Sequence, residues 1–228
     1  RKYKLKVIED NAQAIGSDYT LSDGSKVKTG SIGDIGCTSF FPSKNLGCFG
    51  DGGAICTNSD ELAATMRMIA NHGQSKRYHH DIVGCNSRLD NLQAGILRIK
   101  LRELDSYIDS RRDAAAYYDA FFSQIEGIKV PVRSADSRHV FHQYTLTLDG
   151  IDRDGLHQFL AEKDIPSMIY YPVPLHQQEA FSSYMSNINQ LKNAEQLCKE
   201  VISLPMHSEL TMNIQKKIIY SIKEFFND

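Results

Sequence analysis

The run IGCTSFFPSKNLGCFGDGGAICT, residues 35–57, limits the fold more than any other stretch of the chain. Two short β-type pieces, 35–41 and 53–57, flank a segment that holds Pro42, Gly47, Gly50 and Gly52. Proline removes a backbone donor and glycine favours neither helix nor strand, so the chain must turn between the two pieces. A helical period follows at once in SDELAATMRMIANHG. Ser59 or Asp60 would cap this helix, Leu62, Met66 and Ile69 share one face, and Gly73 lies just past its end. Short strands, a glycine-dense turn and an amphipathic helix in that order read as α/β architecture.

The rest of the chain extends the plan. Leu5, Val7 and Ile8 read as a strand ended by Glu9 and Asp10, so near the first residue that a preceding part of the domain is expected to be missing. Residues 87–125 carry a helical pattern with Leu89, Leu92, Ile96 and Ile99 on one stripe, as two helices or one kinked helix. HQYTLTLD alternates, with Tyr144, Leu146 and Leu148 on one strand face. DRDGLHQFLAEKDI reads as a short helix, SMIYYPV as a strand ended by Pro172, and the remainder as mostly helical, closing in NIQKKIIYSIKEFF. The expected division is a large-domain portion, 1–105, and a small C-terminal α/β domain, 106–228.

Bulk properties narrow the function. A formal net charge of −2 gives no electrostatic basis for binding nucleic acid or an anionic membrane. No apolar run reaches the length of a membrane span. Cys37, Cys48, Cys56, Cys85 and Cys198 are odd in number and lack metal-ligand spacing, which suits a reducing cytoplasm.

Lys44 is the chemical focus. Its amine sits among aromatic and small residues, where burial or neighbouring cations would make it a nucleophile toward a carbonyl. Taken alone it reads as a loop cation reaching solvent. Asp10 ends a hydrophobic strand, where α/β sheets place ligand contacts, and a carboxylate there can keep a pyridine nitrogen protonated. Gln13 lies three residues on, within reach of the same ligand. Ser39 could donate to a phosphate. Asn86 and Arg88, near a helix start, suit an anion. Each has a plainer reading as a cap, strand serine or surface ion pair; their combination carries the case.

VIEDNAQAIG, GDIGCTSFFPSKNLGCFGDGGAICTN, HHDIVGCNSRLDNLQAGIL, YYPVPLHQQEAF and SLPMHSELT, in that order, resemble the DegT/DnrJ/EryC1/StrS family of nucleotide-sugar aminotransferases. The resemblance implies pyridoxal 5'-phosphate as cofactor and the aspartate-aminotransferase fold (fold type I), a mixed-sheet large domain followed by a small α/β domain. Around TSFFPSKNLGCFGDGGA and RYHH the chain is most similar to the branch acting on UDP-linked 2-acetamido-3-keto-hexuronic acids. By position, Lys44 would attach the cofactor and shuttle the proton, Asp10 would face the ring nitrogen and Gln13 its phenolic oxygen. Ser39 would bind the cofactor phosphate, and Asn86 the phosphate held by a neighbouring subunit, because the family's sites lie at a dimer interface.

Arg88 is the best candidate for a sugar carboxylate, since a planar two-pronged donor suits that group. His79, His80, Tyr171 and His176 are further candidates for the sugar site. The resemblance further implies L-glutamate as amino donor, a nucleotide-linked keto sugar as acceptor, a homodimer and a cytoplasmic role in surface polysaccharide synthesis. The nucleotide, UDP or dTDP, stays open. The alternatives are a sugar dehydratase of the same fold, in which a histidine replaces the lysine, and a non-catalytic regulator or scaffold.

Overall fold

The computed structural model describes residues 3–184 and 191–226. The chain forms two compact units, one of residues 1–109 with 133–142 and one of 110–132 with 143–228. In chain order the first unit carries β1 (Ile8–Asp10), β2 (Asp18–Thr20), β3 (Lys26–Lys28), β4 (Ile35–Ser39), β5 (Gly53–Cys56) and α1 (Asp60–Ala70). The hairpin of β6 (Gln74–Lys76) and β7 (His79–His80) follows, then α2 (Asn91–Lys100) and the start of α3 (Leu104–Phe122). The second unit holds the rest of α3, then β8 (Ile128–Lys129). Strand β9 (Ser137–Arg138) returns to the first unit, where it pairs with Asp18 and Tyr19 of β2. Next come β10 (Tyr144–Leu148), α4 (Arg153–Glu162), α5 (Lys192–Glu200), β11 (Val201–Leu204) and α6 (Met212–Phe225) of the second unit. Among the described residues, no helix is long and apolar enough to cross a membrane.

In the first unit, β4 is central, parallel to β1 and antiparallel to β5. The ladder begins only at Ile8, paired with Ile35, and runs through Glu9 to Asp10, paired with Cys37. The strand expected over residues 5–8 is therefore shifted. Its physical cause is Asp34, whose carboxylate takes the Val7 N–H at 2.9 Å and Lys6 Nζ at 3.0 Å. Glu9 fastens the far side: its carboxylate accepts N–H bonds from Gly30 (2.8 Å), Ile32 (2.6 Å) and Gly33 (2.7 Å). Burial works to raise its pKa, but the bonds from Gly33, Gly30 and Ile32 together outweigh it and hold the carboxyl below its ordinary value.

Helix α1 forms as expected: Ser59 is the N-cap, its side chain accepting from Leu62 N, with Asp60 and Glu61 in the first turn. The helical stretch over 87–125 divides into α2, a 3₁₀ turn at Leu101–Glu103, and α3. Its apolar stripe is a correction: Leu92 and Ile99 are 75% and 68% exposed. The buried residue of α2 is Leu97, which joins Leu46, Cys48, Leu104, Ile108 and Val140 in a core that also packs against Ile15, Phe40 and Leu89.

The second unit is built on the sheet β11–β10–β8, with Tyr144, Leu146 and Leu148 of β10 buried. All four residues of β11 are buried, and the strand lies in a stretch expected to be mostly helical. The run SMIYYPV is not a strand. Among the described residues it makes one bridge, Met168 to Ser203, in a stretch bounded by Pro166 and Pro174 and interrupted by Pro172. On α3, Tyr118 donates its hydroxyl to Pro205 O at 3.2 Å and Arg111 Nη1 donates to Met206 O at 3.0 Å. Burial pushes the Tyr118 phenol up and the Arg111 guanidinium down to about 10.

Glu9→Gln should cost the first unit about 1 kcal/mol by replacing charge-assisted bonds with neutral ones. Because the folded pKa is lowered, the carboxylate's contribution is complete above 4.5 and disappears as pH falls through the lower folded value. Urea denaturation from about pH 7 down to about pH 3 should show the gap between wild type and variant closing in acid.

Candidate active site

Lys44 stands midway along a loop that closes on itself. The N–H of Phe40 donates to Gly52 O at 2.8 Å, and the N–H of Cys48 returns to Phe40 O at 2.9 Å. Inside the loop the Lys44 N–H donates to Phe41 O at 2.9 Å. The Cys48 thiol lies 3.0 Å from Phe40 O and 2.9 Å from Gly50 O, so it braces the base. Gly47 permits the crossing: a Cβ there would come 2.4 Å from the Pro42 carbonyl oxygen. Asn45, Leu46, Gly47 and Cys48 are buried and Lys44 is half-buried. Three side-chain hydrogen bonds tie the loop to its surroundings. Asn45 Nδ2 donates to Val140 O at 3.1 Å, Gln93 Oε1 accepts from Phe49 N at 2.7 Å, and Lys100 Nζ donates to Gly47 O at 2.5 Å. Among the described residues, nothing pairs with the Lys44 ammonium.

Asp10 and Ser39 lie at the ends of adjacent strands. Asp10 is in register with Cys37, and alternation along β4 puts Ser39, two residues on, on the same sheet face. Asp10 Oδ1 accepts from Ala12 N at 3.0 Å, and the exposed carboxylate keeps its other lone pairs. Ser39 Oγ accepts from Phe41 N at 3.2 Å, which leaves its proton to donate. Gln13 is exposed just beyond Asp10. Between them Asn11 is buried: Nδ2 donates to Thr38 Oγ1 at 3.0 Å, Oδ1 accepts from Thr29 Oγ1 at 2.7 Å, and its N–H donates to Cys37 O.

Asn86 and Arg88 meet in another way. Arg88 Nε donates to Asn86 Oδ1 at 2.9 Å, ahead of the first turn of α2. Both line a cavity of about 920 Å³ with Cys37, Asp51, Met66 and Arg67, whose wall includes neither Asp10, Gln13, Ser39 nor Lys44. His79 and His80 form β7, exposed and away from that wall; His80 Nδ1 lies 2.8 Å from His72 O. In the second unit Tyr171 is exposed, and His176 Nε2 lies 2.9 Å from Glu195 Oε1. Asn11, Asn45, Gln93 and Lys100 escaped the sequence reading. The one available signal was the spacing of Gln93 and Lys100, seven residues apart and so on one face of α2.

The donor set fits pyridoxal phosphate: an unpaired amine for its aldehyde, an acceptor carboxylate for its ring nitrogen and a hydroxyl for its phosphate.

The model of the DegT/DnrJ/EryC1/StrS aminotransferase family matches residues 1–223. A "pleiotropic regulatory protein" of Geobacillus stearothermophilus is 45% identical over 99% of this chain and 59% of its own length. A UDP-N-acetyl-3-dehydro-alpha-D-glucosamine 3-aminotransferase of Acidithiobacillus ferrooxidans is 46% identical over 92% of this chain and 54% of its own. A UDP-2-acetamido-2-deoxy-3-oxo-D-glucuronate aminotransferase of Pseudomonas aeruginosa is 43% identical over 92% and 55%. Among solved structures, an aminotransferase from Brucella abortus superposes with a TM-score of 0.89 at 39% identity, over 98% of this chain and 58% of that one. The chain thus spans between 54% and 59% of the length of these relatives.

Gly47→Ala tests the loop. Its methyl group meets backbone and not a movable side chain, so the variant should lose about 1–3 kcal/mol in urea denaturation. A variant as stable as wild type would show that the loop opens at no cost.

Proposed function

The chain belongs to the DegT/DnrJ/EryC1/StrS aminotransferase family, and from that premise we propose that the whole protein transfers an amino group from L-glutamate to a nucleotide-linked keto sugar. The acceptor we favour is UDP-2-acetamido-2-deoxy-3-keto-glucuronic acid, made for a surface polysaccharide in the cytoplasm. Glutamate gives up its amino group and leaves as 2-oxoglutarate; the keto sugar then takes the amine and leaves as an amino sugar. The observation that carries this reading is the unpaired Lys44 amine on a closed loop directly after β4, the strand alongside Asp10.

When bound, pyridoxal phosphate supplies an aldehyde and a ring that draws electrons from the carbon losing its proton. Lys44 would hold the cofactor through its Nζ, and the same amine would move that proton as a general base and acid. Asp10 keeps the ring nitrogen protonated, Gln13 meets the phenolic oxygen, and Ser39 donates to the phosphate. In a homodimer Asn86 donates to the phosphate held by the partner subunit. Arg88 keeps both terminal nitrogens for a sugar carboxylate while its Nε is bound to Asn86. His79, His80, Tyr171 and His176 are assigned to the sugar pocket.

The name of the Geobacillus relative favours a second reading, a regulator that retains the fold. Added glutamate separates the two, since transamination changes the cofactor's absorbance and a regulator leaves it unchanged. Lys44 itself argues against a dehydratase with a histidine at this position.

With the full-length protein, incubation with pyridoxal phosphate and borohydride should leave a pyridoxyl group on the Lys44 peptide by mass spectrometry, absent in Lys44→Ala. Asp10→Asn should keep the cofactor and lose about 10²–10⁴ in turnover; near-normal turnover removes Asp10 from this role. Arg88→Met should raise KM about 10–100-fold for the sugar bearing a carboxylate, the cost of one charged contact. The analogue with a hydroxymethyl group in its place should be unaffected. Equal effects on both sugars would detach Arg88 from the carboxylate.

A further inference from the structure

Lys100 takes no part in the chemistry above, yet it reaches the loop that presents Lys44. Gln93, Leu97 and Lys100 are spaced four and three residues apart, so they form one face of α2. That face grips four consecutive residues. Gln93 accepts from the N–H of Phe49, Leu97 packs in the core with Leu46 and Cys48, and Lys100 Nζ donates to the carbonyl of Gly47 at 2.5 Å. The ammonium also stands 5.9 Å from the centre of the Phe49 ring. Among the described residues, no carboxylate pairs with it. A half-buried cation without an ion pair, spent on one backbone carbonyl, is not an ordinary surface charge. Gly47 lies in a buried stretch, and its carbonyl needs a partner there.

We propose that Lys100 is a positioning residue for Lys44. Its bond to Gly47 fixes the returning limb of the loop, so the Lys44 amine is offered in one orientation. Asn45, bonded to Val140, holds the same limb two residues earlier. Lysine suits the task because a flexible stem delivers a compact charge to one oxygen. Methionine of similar length would leave the carbonyl buried and unpaired.

The inference rests on the assignment of Lys44, and the test keeps the two apart. Full-length wild type, Lys100→Met, Lys100→Arg and, as an exposed control on the same helix, Arg98→Met are compared by amide exchange over residues 41–50. Each is also compared by the rate at which pyridoxal 5'-phosphate and borohydride label Lys44, and by kcat and KM. Lys100→Met should speed exchange in this loop alone by about tenfold and slow labelling by a similar factor. It should lower kcat about tenfold with KM for the sugar changed less than about twofold. Lys100→Arg, which keeps a donor, should recover at least part of the labelling rate, and Arg98→Met should match wild type. Wild-type exchange and labelling rates in Lys100→Met would overturn the proposal. So would faster exchange spread evenly over the chain, no recovery with arginine, or an equal effect of Arg98→Met. If wild type takes no label at all, the assignment of Lys44 fails, and the exchange arm still decides whether Lys100 holds the loop.

Discussion

The hydrogen bond from the Cys48 N–H to the Phe40 carbonyl turns the segment after β4 into a ring with Lys44 near its far side. A lysine on an open loop samples many rotamers, and ordering it costs about 1.5–2 kcal/mol in side-chain entropy alone. A closed base does not remove that cost, but it removes the larger backbone share. The ring can close because Gly47 lets the chain pass the Pro42 carbonyl and because Leu46 and Cys48 anchor in the core. Packing, backbone closure and the placement of one amine are therefore a single structural fact.

A different economy fixes Asp10. Its neighbours on either side are the anchors: Glu9 gathers three N–H groups of the 30–33 turn, and Asn11 ties β1 to Thr38 and Thr29. The buried member is the neutral amide, while the charged member stays partly in water. That division avoids the several kcal/mol that desolvating a carboxylate would cost. Asp10, between them, accepts from Ala12 N with one oxygen and leaves the rest of its carboxylate exposed.

Much of this was legible because local signals suffice for it. The cap at Ser59, the alternation over β10, and the order of β4, a glycine-dense turn and β5 are all short-range patterns. Failures occurred where the partner is distant in sequence. Leu92 and Ile99 have a fine helical spacing, but the loop at 46–49 selects the face of Gln93, Leu97 and Lys100 instead. Strand β11 is short and follows a helix directly, so only its pairing with β10 identifies it. SMIYYPV has the composition of a strand, but it lies between Pro166 and Pro174 with Pro172 inside it, and prolines so placed limit a ladder. The return of residues 133–142 to the first unit leaves no periodic trace, although Val140 there receives the bond from Asn45.

The contact between Asn86 and Arg88 links orientation to role. An amide side chain offers one acceptor and one donor end, and Arg88 can only donate. With Oδ1 turned to Arg88 Nε, the Asn86 Nδ2 group is the end left to face the cavity. A phosphate needs donors, so the arginine turns the asparagine in the sense that the role proposed for it would require. The same bond leaves Arg88 its planar pair of terminal nitrogens, the geometry that matches a carboxylate.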